Sequence, residues 1–506
     1  MDRRIEGETE AERATVPTTV ADLSALLPED VLADVLRRLA PRDLAASRCV
    51  CKAWLAVVDA RRLLRTQLLL LWLCGIFINF NGYYISEFFA RPSTSRPSVS
   101  GNHDYLPQED ADTWAEVHDH CNGLLLVEGD NEDEVLMDYV FNPATRWVAP
   151  LTPPPSLNPD LEMDRFQDIY RKYLVYDPAI SLHYKVFMIP FLRIPLQPDN
   201  LHYDRYMDQL DPVFEQSEWP PSPFILHVFS SKTGQWEERS FAREGEAAGI
   251  VADIRQSYVY EQRNAVYWRG ALYVHCQTDF VMRILVSDGR YQVIKPPAGT
   301  KKSHYPQFYL GKSKNGVHCA KLRGWCLKVW ILRELGDQTE WVFKHDGDIL
   351  GCLLKHNISS RWHYQRQNCR PWLIQNINAN YRPWLLQNIN AEHNRNDTME
   401  QPVDENFDWC SDVSSDENSP SDNAYDDKEA ARYPAHIDIL GFHPYKEVIF
   451  LSQSLTRGLA YDFTSLKVKV LGNLCPAQYN TEVLPNEQLI NSSFPYTPCW
   501  LGQGVD

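Results

Sequence analysis

The sequence predicts an α+β multidomain chain, in which a small all-α module is followed by a large all-β domain. The first observation is a short amphipathic helical pattern within residues 21–66. The second is a series of alternating apolar and polar runs, separated by turn residues, across most of residues 75–475. The third is composition, because 15 Trp, 25 Tyr, 20 Phe and 33 Pro are more typical of β-rich architecture than of a helical bundle.

The helical module is marked out by proline, charge and leucine. Pro28 is expected in the first turn of a helix, where its missing N–H has no helical partner to lose. Glu29 and Asp30 then lie at the positive end of the helix dipole. Large apolar side chains recur along this segment and along a second one after Pro41, namely Leu27, Val31, Val35, Leu39, Leu44, Val50 and Trp54. A unit this short cannot bury all of them, so some of this surface is expected to bind another protein.

The pattern from about Leu23 to Leu64 resembles the F-box, the module by which Skp–cullin–F-box ubiquitin ligases hold their adaptor. The resemblance rests on an initial Leu-Pro pair, a Leu-x4-Leu spacing and the run V-C-K-x-W at residues 50–54. It implies contact with a Skp-type adaptor, and through it with cullin, at Leu27, Pro28, Val31, Val35, Leu39, Leu44, Val50 and Trp54. The alternative is an ordinary helical hairpin whose apolar face is core, which periodicity alone would favour.

Beyond Cys121 one design recurs five times, as an alternating strand, a polar turn and a second strand. These hairpins are predicted at 138–150, 226–241, 282–297, 327–346 and 458–472. Each follows further strand-like runs, at 121–129, 173–189, 265–276, 309–322 and 437–452. Their loops are marked by Asn142-Pro143, Thr233-Gly234, Asp288-Gly289 and Gly336-Asp337. Radial stacking of such units would give a β-propeller-like domain, and a pair of β-sandwiches is the alternative.

The β region also resembles the F-box-associated domain of plant F-box proteins, particularly a large grass group. The resemblance is carried by CNGLLL, NPATRxW, FxxREG, YWRGALYVHC and LGFHPYKEVIFL, which begin at Cys121, Asn142, Phe241, Tyr267 and Leu440. It implies a propeller-like sheet domain that presents a target protein for ubiquitination, and it assigns no target-binding residue.

The remaining segments are expected to carry less structure. Residues 1–20 are predicted to be a disordered tail, the F-box to occupy 21–66, the β domain 75–354 and 434–475, and a C-terminal tail 476–506. Residues 355–433 are predicted to be a low-complexity acidic insertion, largely disordered because it is polar and of one charge sign. Within it RPWLIQNINAN recurs as RPWLLQNINAE, either a short linear motif shown twice or a slippage product tolerated in a loop.

Several functions are disfavoured by composition and motif. The formal net charge of −17 argues against nucleic-acid binding, and the apolar run Leu68–Phe80 falls well short of the about 20 residues of a membrane span. The 12 cysteines show no zinc-ligand spacing, and no nucleophile, P-loop or dinucleotide motif is present. We therefore expect no cofactor, no metal and no catalytic site. The absence of a signal peptide predicts an intracellular protein, in the cytoplasm and/or the nucleus.

Two function classes follow. In the first, the chain is the substrate-recognition subunit of a ubiquitin ligase, with an unknown target protein held by the β domain. In the second, the β domain binds a sugar or small molecule and the F-box is only a regulatory dock. For the first, the long connection Pro190–Pro223 is the candidate target loop, since it carries Tyr203, Tyr206 and Trp219.

Overall fold

The computed structural model describes residues 28–39, 72–83, 85–91, 116–130, 136–154, 169–192, 211–255, 264–297, 307–335, 338–355, 372–375, 436–476 and 488–499, with 44, 47, 54, 56–58, 61, 63, 99, 101, 479 and 483–484. They fall into two compact units, one comprising 1–70, 178–182 and 499–506, and the other 71–177 and 183–498. Each unit is considered by itself.

The helical unit is organised around α1, Glu29–Leu36. Pro28 is the residue immediately before the helix rather than a member of its first turn, and its carbonyl accepts a hydrogen bond from the Leu32 N–H at 3.0 Å. The core of the unit consists of Leu32, Ala33, Leu36, Leu44, Val57 and Val58. Leu39, Trp54 and Leu63 are partly buried against it. Hence the face of α1 that packs inward is the one bearing Leu32 and Leu36.

The second unit is built almost wholly from antiparallel strands. Sheet 1 contains β1 Gly75–Phe80, β2 Glu87–Ala90, β21 Leu373–Gln375 and β26 Ile490–Tyr496. Sheet 2 contains β3 Glu116–Cys121, β4 Leu124–Asp130, β5 Leu136–Asn142 and β6 Trp147–Pro150. Sheet 4 contains β17 Gln307–Ser313, β18 Gly316–Arg323, β19 Cys326–Leu335 and β20 Gln338–Asp348. Sheet 5 contains β22 Ile437–Phe442, β23 Val448–Gln453, β24 Arg457–Asp462 and β25 Lys467–Asn473.

Sheet 3 has eight strands and consists of two four-stranded halves. One half contains β7 Ile169–Val175, β8 Lys185–Phe191, β10 Phe224–Ser230 and β11 Gln235–Glu244. The other contains β13 Ala265–Trp268, β14 Ala271–His275, β15 Val281–Leu285 and β16 Arg290–Ile294. The halves join through parallel pairing of residues 242–244 with 290–292, and the two end strands, β7 and β13, also contact each other. The sheet therefore curves back until it is nearly closed.

Short elements connect these sheets. Strands β9 Glu218–Trp219 and β12 Gly249–Ile250 pair with each other, and helices span Pro212–Glu215, Val251–Arg255 and Ile349–Lys355. A 3₁₀ turn spans Gln277–Asp279. Within the described ranges, no helix is long and apolar enough to cross a bilayer.

The strand pairs expected from the sequence are confirmed in all five segments, because their pairing is local. The turn predicted at Gly336-Asp337 lies outside the described residues. The turn between β3 and β4 illustrates local pairing. Cys121 pairs with Leu124, and the two residues between them, Asn122 and Gly123, have φ values of 46° and 93°. Two consecutive positive φ angles define the tight turn that matches strand twist, and Asn-Gly is its preferred sequence.

Two strands of sheet 1 come from segments that the sequence predicts to be unstructured. The segment 476–506 was expected to be a tail, but β26 within it pairs with β1 along its whole length. The insertion 355–433 was expected to be largely disordered, but Trp372 is 7% exposed and β21 pairs with β2. Packing against distant strands, rather than local pattern, orders both segments. Residues 356–371 and 376–433, with the second copy of the duplication, lie outside the described residues.

Sheets 1, 2, 4 and 5 and the two halves of sheet 3 make six four-stranded groups. One strand from each group contacts one strand in each of the two neighbouring groups. Contacts run from β26 to β3, to β7, to β13, to β17, to β22 and back to β26. Large hydrophobic clusters pack between successive groups at four of these junctions. They join the halves of sheet 3, its second half to sheet 4, sheet 4 to sheet 5, and sheet 5 to sheet 1. The six groups thus follow one another in a closed ring of contacts.

Candidate functional site

The helix α1 leaves one apolar strip uncovered. Val31 is 46% exposed and Val35 is 49% exposed, and Pro28 is exposed one turn before them. Spacings of three and four residues put these side chains on the same side of a helix. We call Pro28, Val31 and Val35 the exposed stripe. Exposure of two large aliphatic side chains on a single eight-residue helix is what an unoccupied protein-binding surface would show.

Charged groups flank the exposed stripe and fix the helix start. Arg61 reaches Asp30 at 2.5 Å and Glu29 at 3.4 Å, so the second helical segment is tied to the first turn of α1. Arg37 pairs with Asp34 at 2.8 Å on the exposed side of the helix. These ion pairs are solvent-exposed, so they contribute little to the stability of the helical unit, and their main effect is to position the side chains around the exposed stripe.

The other predicted adaptor-contact residues lie in different environments. Leu44 is 3% exposed and belongs to the core of the helical unit. Leu39 and Trp54 are partly buried against that core, and the indole N–H of Trp54 donates no hydrogen bond within the described part of the chain. Leu27 and Val50 lie outside the described residues. The structure therefore brings Pro28, Val31 and Val35 together on the surface and leaves Leu44 inside.

The candidate target loop is described only at its ends. Residues 193–210, with Tyr203 and Tyr206, lie outside the described residues. Trp219 is 3% exposed, and its ring centroid lies 5.8 Å from that of Phe224 in the core of sheet 3. Trp219 is therefore a packing residue and not an exposed interface anchor.

An open groove on the second unit was not expected from the sequence. It has a volume of about 570 Å³ and runs between Pro296-Pro297 and the indoles of Trp330 and Trp341. The Trp341 Nε1–H donates to the Lys295 carbonyl at 3.1 Å, which fixes that indole against the adjacent strand end. Next to it Phe343 is 53% exposed, with its ring centroid 5.8 Å from that of Trp330. Aromatic side chains of this kind commonly anchor protein interfaces.

No metal centre accompanies these surfaces in the residues that can be described, since no three His, Cys, Asp or Glu side chains there are grouped to hold an ion.

Comparison with known protein families identifies the helical unit. Residues 25–66 match the F-box domain family. The matched range contains α1, the exposed stripe and the core around Leu32 and Leu36. The chain therefore carries an F-box domain. A search of curated proteins gave no match to the chain.

Solved structures show only weak likeness. A β-xylosidase is 10% identical with a TM-score of 0.24, over 53% of this chain and 95% of its own. A 6-phosphogluconolactonase described as putative, from Bacteroides uniformis, is 10% identical with a TM-score of 0.24, over 54% of this chain and 82% of its own. A post-proline cleaving enzyme from Rickettsia typhi is 7% identical with a TM-score of 0.28, over 91% of this chain and 60% of its own. At these TM-scores none of them informs the fold or the activity of this chain.

Proposed function

We propose that this chain is the substrate-recognition subunit of a Skp–cullin–F-box ubiquitin ligase. The F-box would bind a Skp-type adaptor, and through it cullin, and the β unit would bind the protein to be ubiquitinated. The single observation that carries the proposal is the exposed stripe within an F-box domain, because Val31 and Val35 are large aliphatic side chains that are each nearly half exposed. The chain would act without catalysis of its own, inside the cell, by raising the effective concentration of target and charged ubiquitin-conjugating enzyme.

We further propose that the second unit is a six-bladed β-propeller of the type found beside the F-box in plant F-box proteins. Support comes from six four-stranded groups whose contacting strands, β26, β3, β7, β13, β17 and β22, follow one another in a ring. A pair of sandwiches would instead place four-stranded sheets face to face in two separate stacks. The short parallel joint between the halves of sheet 3 then links the outer edges of two blades. An experimental structure of the unit with another blade count would overturn this assignment.

The groove bears on how a target would be held. Small-molecule sites usually enclose 70–90% or more of a drug-sized ligand within roughly 300–1,000 Å³. The groove has about 570 Å³ but is open along one side, so it suits an extended segment of a protein better than an enclosed sugar. It therefore supports the receptor function over the small-molecule alternative.

Adaptor capture tests the proposal. The wild-type full chain and a double variant, Val31→Asp with Val35→Asp, would each be incubated with a purified Skp-type adaptor. We expect the double variant to lose about thirtyfold or more in affinity, because truncating or charging an interface anchor commonly costs about 2 kcal/mol or more. Ile225→Asp is the matched control, since Ile225 is 55% exposed on β10 and lies outside the F-box. Equal capture of all three proteins would refute the assignment of the exposed stripe to the adaptor.

A further inference from the structure

A second cavity lies among the contacting strands of the β unit. It is lined by the ends of β3, β13, β17 and β26 and by the turn after β22. The Asn122-Gly123 turn forms part of its wall, because the Asn122 side-chain amide donates to the Tyr176 carbonyl at 2.7 Å and is held in place. We call this space the inner cavity.

The inner cavity contains a lysine that forms no ion pair with the described residues. Lys312 lies on β17, and no carboxylate in the described ranges is within ion-pair distance of its ammonium group. Its Nζ donates to the Asn122 Oδ1 at 3.3 Å and lies 5.3 Å from the ring centroid of Trp268. An amide oxygen and a π face satisfy an ammonium ion only partly when it is removed from water. The site therefore has unused capacity for negative charge.

A second donor that lines the inner cavity also lacks a partner among the described residues. Asn264, immediately before β13, is 8% exposed, and its Nδ2 donates no hydrogen bond within the described part of the chain. Its backbone carbonyl is already taken by the His275 N–H at 3.0 Å, so the residue is fixed in position. Buried amide donors normally have partners, and one that lacks a partner in a cavity wall points to a bound acceptor.

The other titratable groups of the wall carry little charge near neutral pH. Burial raises the pKa of Asp119 to about 8 and that of the Cys121 thiol to about 12. Burial lowers the pKa of His120 to about 4, so its imidazole is neutral. Burial also lowers the pKa of Lys312, while the negative charge of the nearby Asp177 acts in the opposite direction. Asp177 is thus the nearby carboxylate that an incoming anion would have to tolerate.

The size of the inner cavity restricts what could enter. Its volume is about 70 Å³. A single water needs about 10–15 Å³ on the same measure, so the space holds roughly five to seven water-sized positions. This is sufficient for a carboxylate with the carbon that bears it, and too small for a sugar ring.

We propose that the inner cavity binds a carboxylate group, with Lys312 as its cation and Asn264 as its amide donor. The carboxylate belongs either to a small free acid or to the end of a polypeptide. Both sources present the same planar pair of acceptor oxygens, which charge-assisted hydrogen bonds from an ammonium and an amide would satisfy together. The inference does not depend on the F-box or on the adaptor.

Calorimetric titration of the full chain tests this site with three probes. The probes are sodium acetate, N-acetyl-triglycine with a free carboxylate, and the same peptide with an amidated end, each at constant ionic strength. We expect acetate to bind and the free-acid peptide to outbind the amidated one by at least about tenfold, the ratio expected for one charge-assisted hydrogen bond. Binding of acetate without the peptide would identify a small acid as the source, and tighter binding of the peptide would identify a chain end.

Variants separate a binding role from a structural one. Lys312→Met keeps the aliphatic stem and should lose acetate binding by at least about tenfold. Lys314→Met is the control, because Lys314 is exposed two residues further along, beyond the end of β17. Acetate should raise the melting temperature of wild type and of Lys314→Met but not that of Lys312→Met, a comparison that holds even if the variants differ in stability. The proposal is overturned if wild type binds no acetate, if Lys312→Met binds it equally well, or if both peptides bind and the amidated one does so as tightly as the free acid.

Discussion

The rings of Phe77 and Tyr496 meet edge to face, with centroids 5.5 Å apart and planes inclined by 86°. Phe77 lies on β1 and Tyr496 on β26, so the first and last strands of the β unit are packed and hydrogen-bonded together. The Tyr496 hydroxyl also donates to the Gly123 carbonyl at 3.2 Å, which joins sheet 1 to the tight turn of sheet 2. This pairing closes the ring of contacts.

Tyr496→Ala should strongly destabilise the β unit. Tyr496 is fully buried, and removing a buried aromatic side chain commonly costs about 3–5 kcal/mol. Tyr496→Phe keeps the ring and loses only the hydrogen bond, at a cost of about 1 kcal/mol. Urea unfolding followed by circular dichroism measures both. Equal free energies of unfolding for the two variants would show that the ring contact does not hold the last strand.

Trp372→Ala should destabilise the β unit while Trp384→Ala, in the second copy of the duplicated segment, changes little. The centroid of the Trp372 ring lies 5.3 Å from that of Phe89 on β2, so the first copy packs against sheet 1. The backbone N–H of Trp372 donates to the Leu471 carbonyl of β25 at 2.9 Å, a hydrogen bond that the substitution leaves in place. We expect a loss of about 3–5 kcal/mol for Trp372→Ala. Thermal unfolding compares the pair, and a loss seen only when both are substituted would show that the second copy can take the place of the first.

Two deletions of the insertion should behave differently. Replacing 376–433 by a short Gly/Ser linker keeps Trp372 and β21, and we expect the melting temperature to be largely retained, since loop length has a small effect on closure entropy. Replacing 360–430 removes β21 and should lower the melting temperature. If both deletions were equally stable, β21 would be dispensable, and if both failed to fold, the acidic part would be needed as well.

Asp119 should make the stability of the β unit depend on pH. Burial raises its pKa to about 8, whereas an unfolded Asp titrates near about 3.9. Between these values only the unfolded chain loses the proton, so rising pH should decrease the free energy of unfolding by about 1.4 kcal/mol per pH unit. In the wild-type chain the Leu174 N–H donates to the Asp119 carboxylate at 2.6 Å. Asp119→Asn keeps an acceptor for that N–H and should remove the dependence of the free energy of unfolding on pH that Asp119 causes.

Urea unfolding at pH 5 and at pH 8 measures the Asp119 effect. His120 contributes in the other direction, since its pKa is lowered to about 4 and the unfolded chain gains its proton as the pH falls below about 6.5. The comparison with Asp119→Asn isolates the aspartate because both proteins carry His120. Identical pH slopes would mean that Asp119 is ionised in the folded chain.

The features that could be predicted from the sequence, namely the five hairpins and the F-box, are those encoded by residues close together in the chain. The five hairpins combine strand alternation with turn residues such as Asn142, whose side chain accepts the Ala144 N–H at 3.0 Å, and those interactions lie within a few residues. The match of residues 25–66 to the F-box domain likewise confirms an ordered local motif. In the same motif, the four-residue period did not distinguish the exposed Val31 from the buried Leu32, because both lie on a broad apolar face.

Features that depend on long-range strand pairing could not be predicted from the sequence. Sheet 1 takes its strands from three distant parts of the chain, and β26, with the sequence INSSFPY, shows no alternation that would mark it as a strand. The inner cavity has the same origin, since Lys312 and Asn264 are isolated polar residues on separate segments. The Asn-Gly turn at Asn122 was visible as part of a motif, but nothing in its neighbourhood indicated which residues it would face.

The pairing of β1 with β26 also has a consequence during synthesis. Roughly 410 residues separate the end of β1 from the start of β26, so β1 emerges from the ribosome long before its partner exists. At about 5–20 residues per second the wait is roughly 20–80 s. Throughout it the strand GIFINF, fully buried in the finished sheet, has an open edge of the kind that pairs with other chains. Nascent chains, and chains terminated after β1, should therefore be clients of ribosome-associated chaperones, and a stop codon placed between the end of β1 and residue 490 should yield an aggregating product rather than a shorter working protein.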